Sequence, residues 1–65
     1  MNLSPKEKIL NFLKQNEGKK FTVMELSRQI EISYPTVLKY IDVLIAEGSI
    51  KVIDFGNAKV VWYEG

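Results

Sequence analysis

The stretch Ser33–Gly48, S-Y-P-T-V-L-K-Y-I-D-V-L-I-A-E-G, decides the fold of this chain. Its strongest apolar positions follow one another at intervals of four and three, which places on one stripe of a helix Val37, Ile41 and Leu44. We expect Ser33 to cap the first turn with its hydroxyl, and Gly48 to supply the left-handed residue that follows the last turn. The pattern therefore predicts a helix over residues 34–47 with one buried face.

Two shorter helices are predicted before this one. Each follows a capping box, S-P-K-E for a helix over residues 5–16 and T-V-M-E for a helix over residues 23–30. Only the short turn Glu31–Ser33 separates the second helix from the third. Two helices joined so closely must cross steeply, which is the geometry of a helix-turn-helix.

Beyond Gly48 the pattern changes from helix to strand. Residues 50–55 and 58–63 are rich in β-branched and aromatic side chains, and Gly56-Asn57 between them suits a type II′ hairpin turn. This register places Asp54 opposite Lys59, which predicts a cross-strand ion pair. The fold class is therefore α+β, with three helices and a hairpin in a single domain, residues 1–65. The core is assigned to Ile9, Leu13, Leu26, Ile30, Val37, Ile41, Leu44, Ile50 and Val52.

The composition excludes several classes of function. The chain has no cysteine and no histidine, so disulfides, most zinc sites and nucleophiles activated by histidine are excluded. No glycine-rich phosphate loop or cluster of metal ligands is recognisable, and we expect no cofactor, no metal and no enzymatic activity. No apolar run reaches the ~18 residues of a membrane helix, and no signal peptide is recognisable, so a cytoplasmic protein is expected.

The whole chain resembles a minimal winged helix-turn-helix domain. The matching segments are Glu25-Leu26, Ile32-Ser33, Thr36-Val37, Lys39-Tyr40-Ile41, Leu44 and Glu47-Gly48-Ser49-Ile50. They are similar to the N-terminal DNA-binding domain of biotin-operon repressors and to small bacterial and archaeal transcription regulators. The resemblance implies a transcriptional regulator that places helix 34–47 in the major groove of double-stranded DNA and uses the hairpin as a wing. The chain departs from this family at Glu31, where glycine is common, and in having only Lys39 as a basic residue on that helix.

Three regions supply the residues predicted to contact DNA. The exposed N-terminal face of a recognition helix meets base edges, the start of the preceding helix offers amide groups to phosphates, and the hairpin tip reaches the neighbouring groove or backbone. The candidates are Lys19, Lys20, Thr22, Ser33, Tyr34, Thr36, Lys39, Tyr40, Asn57 and Lys59. The two tyrosines are equally interpreted as residues that cover the core.

Other interpretations stay open at this stage. The net charge is only +1, which also suits a winged-helix module that binds protein without nucleic acid, through Val43 or the hairpin edge. A homodimer is a further hypothesis, because a second copy would double the contacts to DNA. Trp62 is interpreted as a packing residue, with stacking on a base as the alternative.

Overall fold

Three α-helices and a small β-sheet form the fold in the computed structural model, which describes residues 3–65. The helices are α1 (Pro5–Gln15), α2 (Val23–Ile30) and α3 (Tyr34–Ala46), and the strands are β1 (Phe21–Thr22), β2 (Lys51–Asp54) and β3 (Lys59–Trp62). The predicted order of helices and hairpin is confirmed. Helices α1 and α3 each end one residue before the predicted boundary, and the two hairpin strands are one residue shorter at each end.

Both predicted capping boxes are present. The amide of Glu7 donates to the Ser4 hydroxyl at 3.2 Å, and the Ser4 amide donates to the Glu7 carboxylate at 3.1 Å. The same reciprocal pair joins Thr22 and Glu25 at 3.1 and 2.9 Å. Helices α1 and α2 therefore begin with their first free amides satisfied by local side chains.

The predicted hydroxyl cap of α3 is wrong. Ser33 holds the N-cap position, since its carbonyl accepts from the Val37 amide at 3.0 Å. Its hydroxyl donates instead to the hydroxyl of Thr36 at 2.9 Å, and α3 has no side-chain cap. A threonine hydroxyl three residues along the chain competes with the backbone for the serine, and sequence alone does not decide between the two partners.

One strand was not predicted. The two residues of β1 pair antiparallel with β3, so the sheet has three strands in the order β1-β3-β2. The predicted hairpin register is confirmed, with Asp54 opposite Lys59 and Ile53 opposite Val60. A segment of two residues carries no periodicity of its own, so only its pairing with β3 identifies β1 as a strand.

The core lies where the helices meet the inner face of the sheet. Its buried side chains are Ile9, Leu13, Phe21, Val23, Leu26, Val37, Ile41, Leu44, Ile50 and Val61. Two predicted core residues, Ile30 and Val52, are only half-buried and pack against this cluster. The unpredicted strand explains two of the additions, because its pairing sets Phe21 beside Val61 on the inner face.

No helix within residues 3–65 has the length and hydropathy needed to cross a bilayer. The same residues contain no group of three or more acidic side chains placed to hold a metal ion.

Candidate nucleic-acid interface

A groove forms where the starts of α2 and α3 meet the tip of the hairpin. Its lining includes four of the predicted site residues, from three separate parts of the chain: Thr22, Tyr34, Asn57 and Lys59. Tyr34 is 41% exposed, so its ring and hydroxyl are accessible between the helix and the hairpin. Met24, which the sequence analysis does not single out, is 47% exposed and lines the same groove. The fold therefore brings the first turn of α3 and the wing tip together on one surface.

Lys39 lies on the exposed side of α3, away from the buried stripe. Its ammonium nitrogen is 5.4 Å from the centroid of the Tyr40 ring, and it takes part in no ion pair within residues 3–65. Tyr40 is half-buried and packs against the core. Its ring therefore covers the interior and also contacts the Lys39 ammonium group. The charge of Lys39 is thus available to an anion at the surface.

The first turn of α3 remains open to a ligand. Ser33 is exposed and Thr36 is half-buried, and their hydroxyls bond each other rather than the helix amides. Pro35 has no amide hydrogen, so the free donors of this turn are the amides of Tyr34 and Thr36. The positive end of the helix dipole lies at the same place, which favours a negatively charged group there.

Lys59 on the wing forms an ion pair, but its partner is not the predicted Asp54. Lys59 donates to the carboxylate of Asp42 on α3 at 2.8 Å, and Asp54 instead accepts from the Gly56 amide at 2.8 Å. The hydrogen bond to Asp42 raises the pKa of Lys59 above its usual value, because the neighbouring carboxylate stabilises the charged ammonium. The wing is therefore tied to α3 by a charge-assisted bond.

Strand alternation explains this partner. Val61 is completely buried, so Lys59, two positions earlier on β3, lies on the same, helix-facing side of the hairpin. The alternation of side chains along β3 was therefore a signal in the sequence that Lys59 faces α3. Like Met24, Asp42 was not among the predicted site residues, and its side chain is 56% exposed beside the groove.

The remaining two candidates lie elsewhere on the surface. The ammonium nitrogen of Lys20 is 4.9 Å from the centroid of the Trp62 ring, and that of Lys19 is 5.4 Å from the Phe21 ring. Both lysines are exposed, but their side chains rest on aromatic residues of the sheet rather than in the groove beside Thr22. The structure thus separates Lys19 and Lys20 from the other predicted residues.

Comparisons with known proteins agree with this architecture. The family model of the HTH (helix-turn-helix) domain matches residues 5–55 of the chain. A solved structure concerned with the DNA recognition and protein interaction domains of HOP2 superposes with a TM-score of 0.85. It has 20% sequence identity, and the alignment covers 94% of this chain and 100% of that chain, which shows a shared fold. No curated protein matches the chain. The chain belongs to the helix-turn-helix domain family, and its hairpin gives it the winged form.

Proposed function

We propose that this protein binds double-stranded DNA, with α3 in the major groove and the β2–β3 hairpin as a wing. Membership of the helix-turn-helix family supports DNA binding. The observation that carries the proposal is the exposed face of α3, where Lys39 has no ion-pair partner among the described residues and the first turn has no side-chain cap. An α-helix fits the major groove, and the N-terminal residues of a recognition helix reach base edges.

Each side chain in the proposed interface has a chemical role. Lys39 donates to guanine or to a phosphate, and Thr36 offers a hydroxyl to a base and a methyl group to thymine. Ser33 and the hydroxyls of Tyr34 and Tyr40 donate to phosphate oxygens. At the groove edge, Thr22, Asn57 and Lys59 contact the backbone or the adjacent minor groove, whereas Lys19 and Lys20 rest on aromatic rings of the sheet outside this groove. Phosphate contacts fix the position of the protein, and the contacts from Lys39 and Thr36 select the sequence.

We further propose that the protein regulates transcription and binds DNA as a cytoplasmic homodimer. A single copy offers few cations to the phosphates, and such binding is weak and sensitive to salt. A symmetric dimer doubles the contacts and reads two half-sites about one helical turn apart, which gives a defined operator. A regulator of this kind needs no enzymatic activity.

A protein-binding module is the second candidate, favoured by apolar exposure on the hairpin. Ile53 is 42% exposed and Phe55 is 64% exposed, whereas Leu38 and Ile45 on α3 pack against the core. The hairpin edge therefore offers more apolar surface than the half-buried Val43. Replacing Phe55 with serine should abolish partner binding and leave DNA binding intact if the two functions are separate.

The proposal is tested by replacing Lys39 with glutamine. We expect Lys39→Gln to weaken binding to a selected duplex about tenfold, because a good base contact is worth about 1–3 kcal/mol. If Lys39 contacts only a phosphate, all duplexes should weaken alike, and the slope of log K against log salt should fall by about 0.9. Lys8→Gln is the matched control, since Lys8 is an exposed lysine of α1. Equal affinities of wild type and both variants, or no binding at ~50 mM salt, would reject the proposal.

The opposite change on α3 should strengthen binding. Asp42→Asn removes a carboxylate from the exposed side of the recognition helix and releases Lys59 to a phosphate, so duplex affinity and salt dependence should both rise. Glu47→Gln is its control, because Glu47 pairs with Lys6 of α1 at the far end of the helix. Weaker binding of Asp42→Asn would mean that the ion pair positions the wing.

A further inference from the structure

The outer face of the sheet carries an aromatic side chain between two lysines. Successive side chains of a strand point to opposite faces, and Phe21 and Val61 are buried on the inner face. Their neighbours Lys20 and Trp62 therefore point outwards, away from the helices. Lys51 lies directly opposite Trp62 on the other neighbouring strand. Trp62 on the central strand is thus flanked on both sides by lysine.

The charges on this face are unpaired. Lys20 and Lys51 are exposed, and neither forms an ion pair within residues 3–65. The indole N–H of Trp62 donates to the Glu64 carboxylate at 3.1 Å, which occupies the polar edge of the ring. Trp62 is half-buried, and the ammonium nitrogen of Lys20 lies 4.9 Å from the centroid of its ring. The accessible part of this half-buried ring lies between two exposed cations, where a flat, anionic ligand can contact both the ring and the charges.

We propose that this face binds a single strand of nucleic acid, with one base stacked on Trp62 and the flanking phosphates held by Lys20 and Lys51. Aromatic rings that stack bases and basic residues that follow the backbone are the two parts of single-strand binding sites. Lys20 leaves the ring for a phosphate as the base arrives. The bases of a duplex are stacked on one another and cannot reach the indole, so this site takes an unpaired strand.

The site is separate from the proposed duplex interface. Trp62 lies three positions along β3 from Lys59, a distance of about 10 Å, and the two side chains point to opposite faces of the hairpin. The inference therefore goes beyond the proposed function and does not depend on it. One domain would hold a duplex at α3 and an unpaired strand at the sheet.

Other occupants explain the face less completely. An acidic peptide would satisfy Lys20 and Lys51 but would leave the indole ring unused. A second copy related by two-fold symmetry would bring the same lysines close to each other, and like charges across a contact are unfavourable. A nucleic acid strand supplies a flat ring and negative charges at once.

The experiment uses Trp62 as its own probe, because it is the only tryptophan of the chain. We expect an oligothymidylate of about 12 nucleotides to quench its fluorescence saturably, with affinity that falls as salt rises. Lys20→Gln and Lys51→Gln should each lower the salt slope by about 0.7, the value for one single-strand phosphate contact. Lys8→Gln should leave the titration unchanged. The proposal would be overturned if the oligothymidylate did not quench the fluorescence, or if all three variants lowered the salt slope equally.

A second arm removes the ring. Trp62→Leu, checked for folding by circular dichroism, should weaken binding of a labelled oligothymidylate about fivefold or more in fluorescence anisotropy, as loss of one base stack implies. Lys39→Gln should leave this binding unchanged, so failure at α3 and failure at the sheet are distinguishable. Unchanged single-strand binding by Trp62→Leu, equal quenching by polyglutamate, or a concentration-dependent shift without any strand would each refute the assignment.

Discussion

The two helices of the helix-turn-helix differ at both ends. Helix α2 begins with a complete capping box, but the residue that follows its end is Glu31, a non-glycine residue in the left-handed region with φ 57° and ψ 43°. Helix α3 begins without a side-chain cap, yet the left-handed residue beyond its end is Gly48, with φ 76°. Each helix has one end that its own sequence stabilises and one that it does not, and the two unsupported ends meet in the turn between the helices.

This difference shows where the fold departs from local optimisation. The turn is held by one local bond and by packing: the Ile32 amide donates to the Ser27 carbonyl at 3.2 Å, which closes the end of α2, and the Ile32 side chain packs against the core. Sequences usually agree with their structures at every level, and departures concentrate at functional sites. The departure here adjoins the face of α3 that we propose to enter DNA.

The largest effect is expected from breaking the supported end of α3. The Ser49 amide donates to the Leu44 carbonyl and the Gly48 amide to the Ile45 carbonyl, both at 3.0 Å, which is a Schellman motif. Gly48→Ala should destabilise the domain by about 1–2 kcal/mol, because a Cβ is unfavourable in the left-handed region. The melting temperature should fall by about 4–8 °C for each kcal/mol in calorimetry.

The matched variant at this position is Gly48→Asn. A Cβ at Gly48 meets no atom within 4 Å, so backbone strain is the only cost. Asparagine tolerates this conformation better than alanine, so the melting temperature should fall less in Gly48→Asn than in Gly48→Ala. Equal melting temperatures for wild type and both variants would show that the end of α3 adapts without the left-handed residue.

A smaller effect separates the two helix starts. Thr22→Ala should cost about 1 kcal/mol, because it removes the hydroxyl that caps the Glu25 amide. Ser33→Ala removes only the bond to the exposed Thr36 hydroxyl, and its cost should stay below about 0.5 kcal/mol. Urea denaturation at constant m-value measures both. If the two substitutions cost the same, Ser33 caps α3 in solution and the comparison fails.

Most of the fold follows from local signals in the sequence. Capping boxes fix the starts of α1 and α2, and the intervals between Val37, Ile41 and Leu44 fix α3, because these patterns depend only on nearby residues. The pairing of β1 cannot be predicted from nearby residues, since it joins residues 21–22 to residues 60–61. The hydroxyl of Ser33 had two local partners of similar quality, and sequence does not choose between them.

The candidate site was predictable in its elements more than in its contacts. The sequence indicates the exposed side of α3 and the hairpin tip, and the fold brings Thr22, Tyr34 and Asn57 to one groove. The partner of Lys59 was missed because Asp54 was closer along the hairpin, while Asp42 becomes its neighbour only when the hairpin packs against α3. Contacts between elements distant in sequence require the tertiary structure.

The last expected effect is a gain in stability, from relieving the left-handed conformation of Glu31 at the end of α2. Glu31→Gly relieves a left-handed conformation that costs a residue with a Cβ about 1–2 kcal/mol, while glycine adds about 0.5–1 kcal/mol of chain entropy to the unfolded state. The domain should therefore gain about 0.5–1 kcal/mol, measured as a higher urea midpoint. Glu31→Gln is the matched control, because it removes the charge and keeps the strain, and it should leave the midpoint unchanged. A gain in the glutamine variant equal to that of glycine would assign the effect to charge, and the turn would then carry no backbone strain that DNA binding has to maintain.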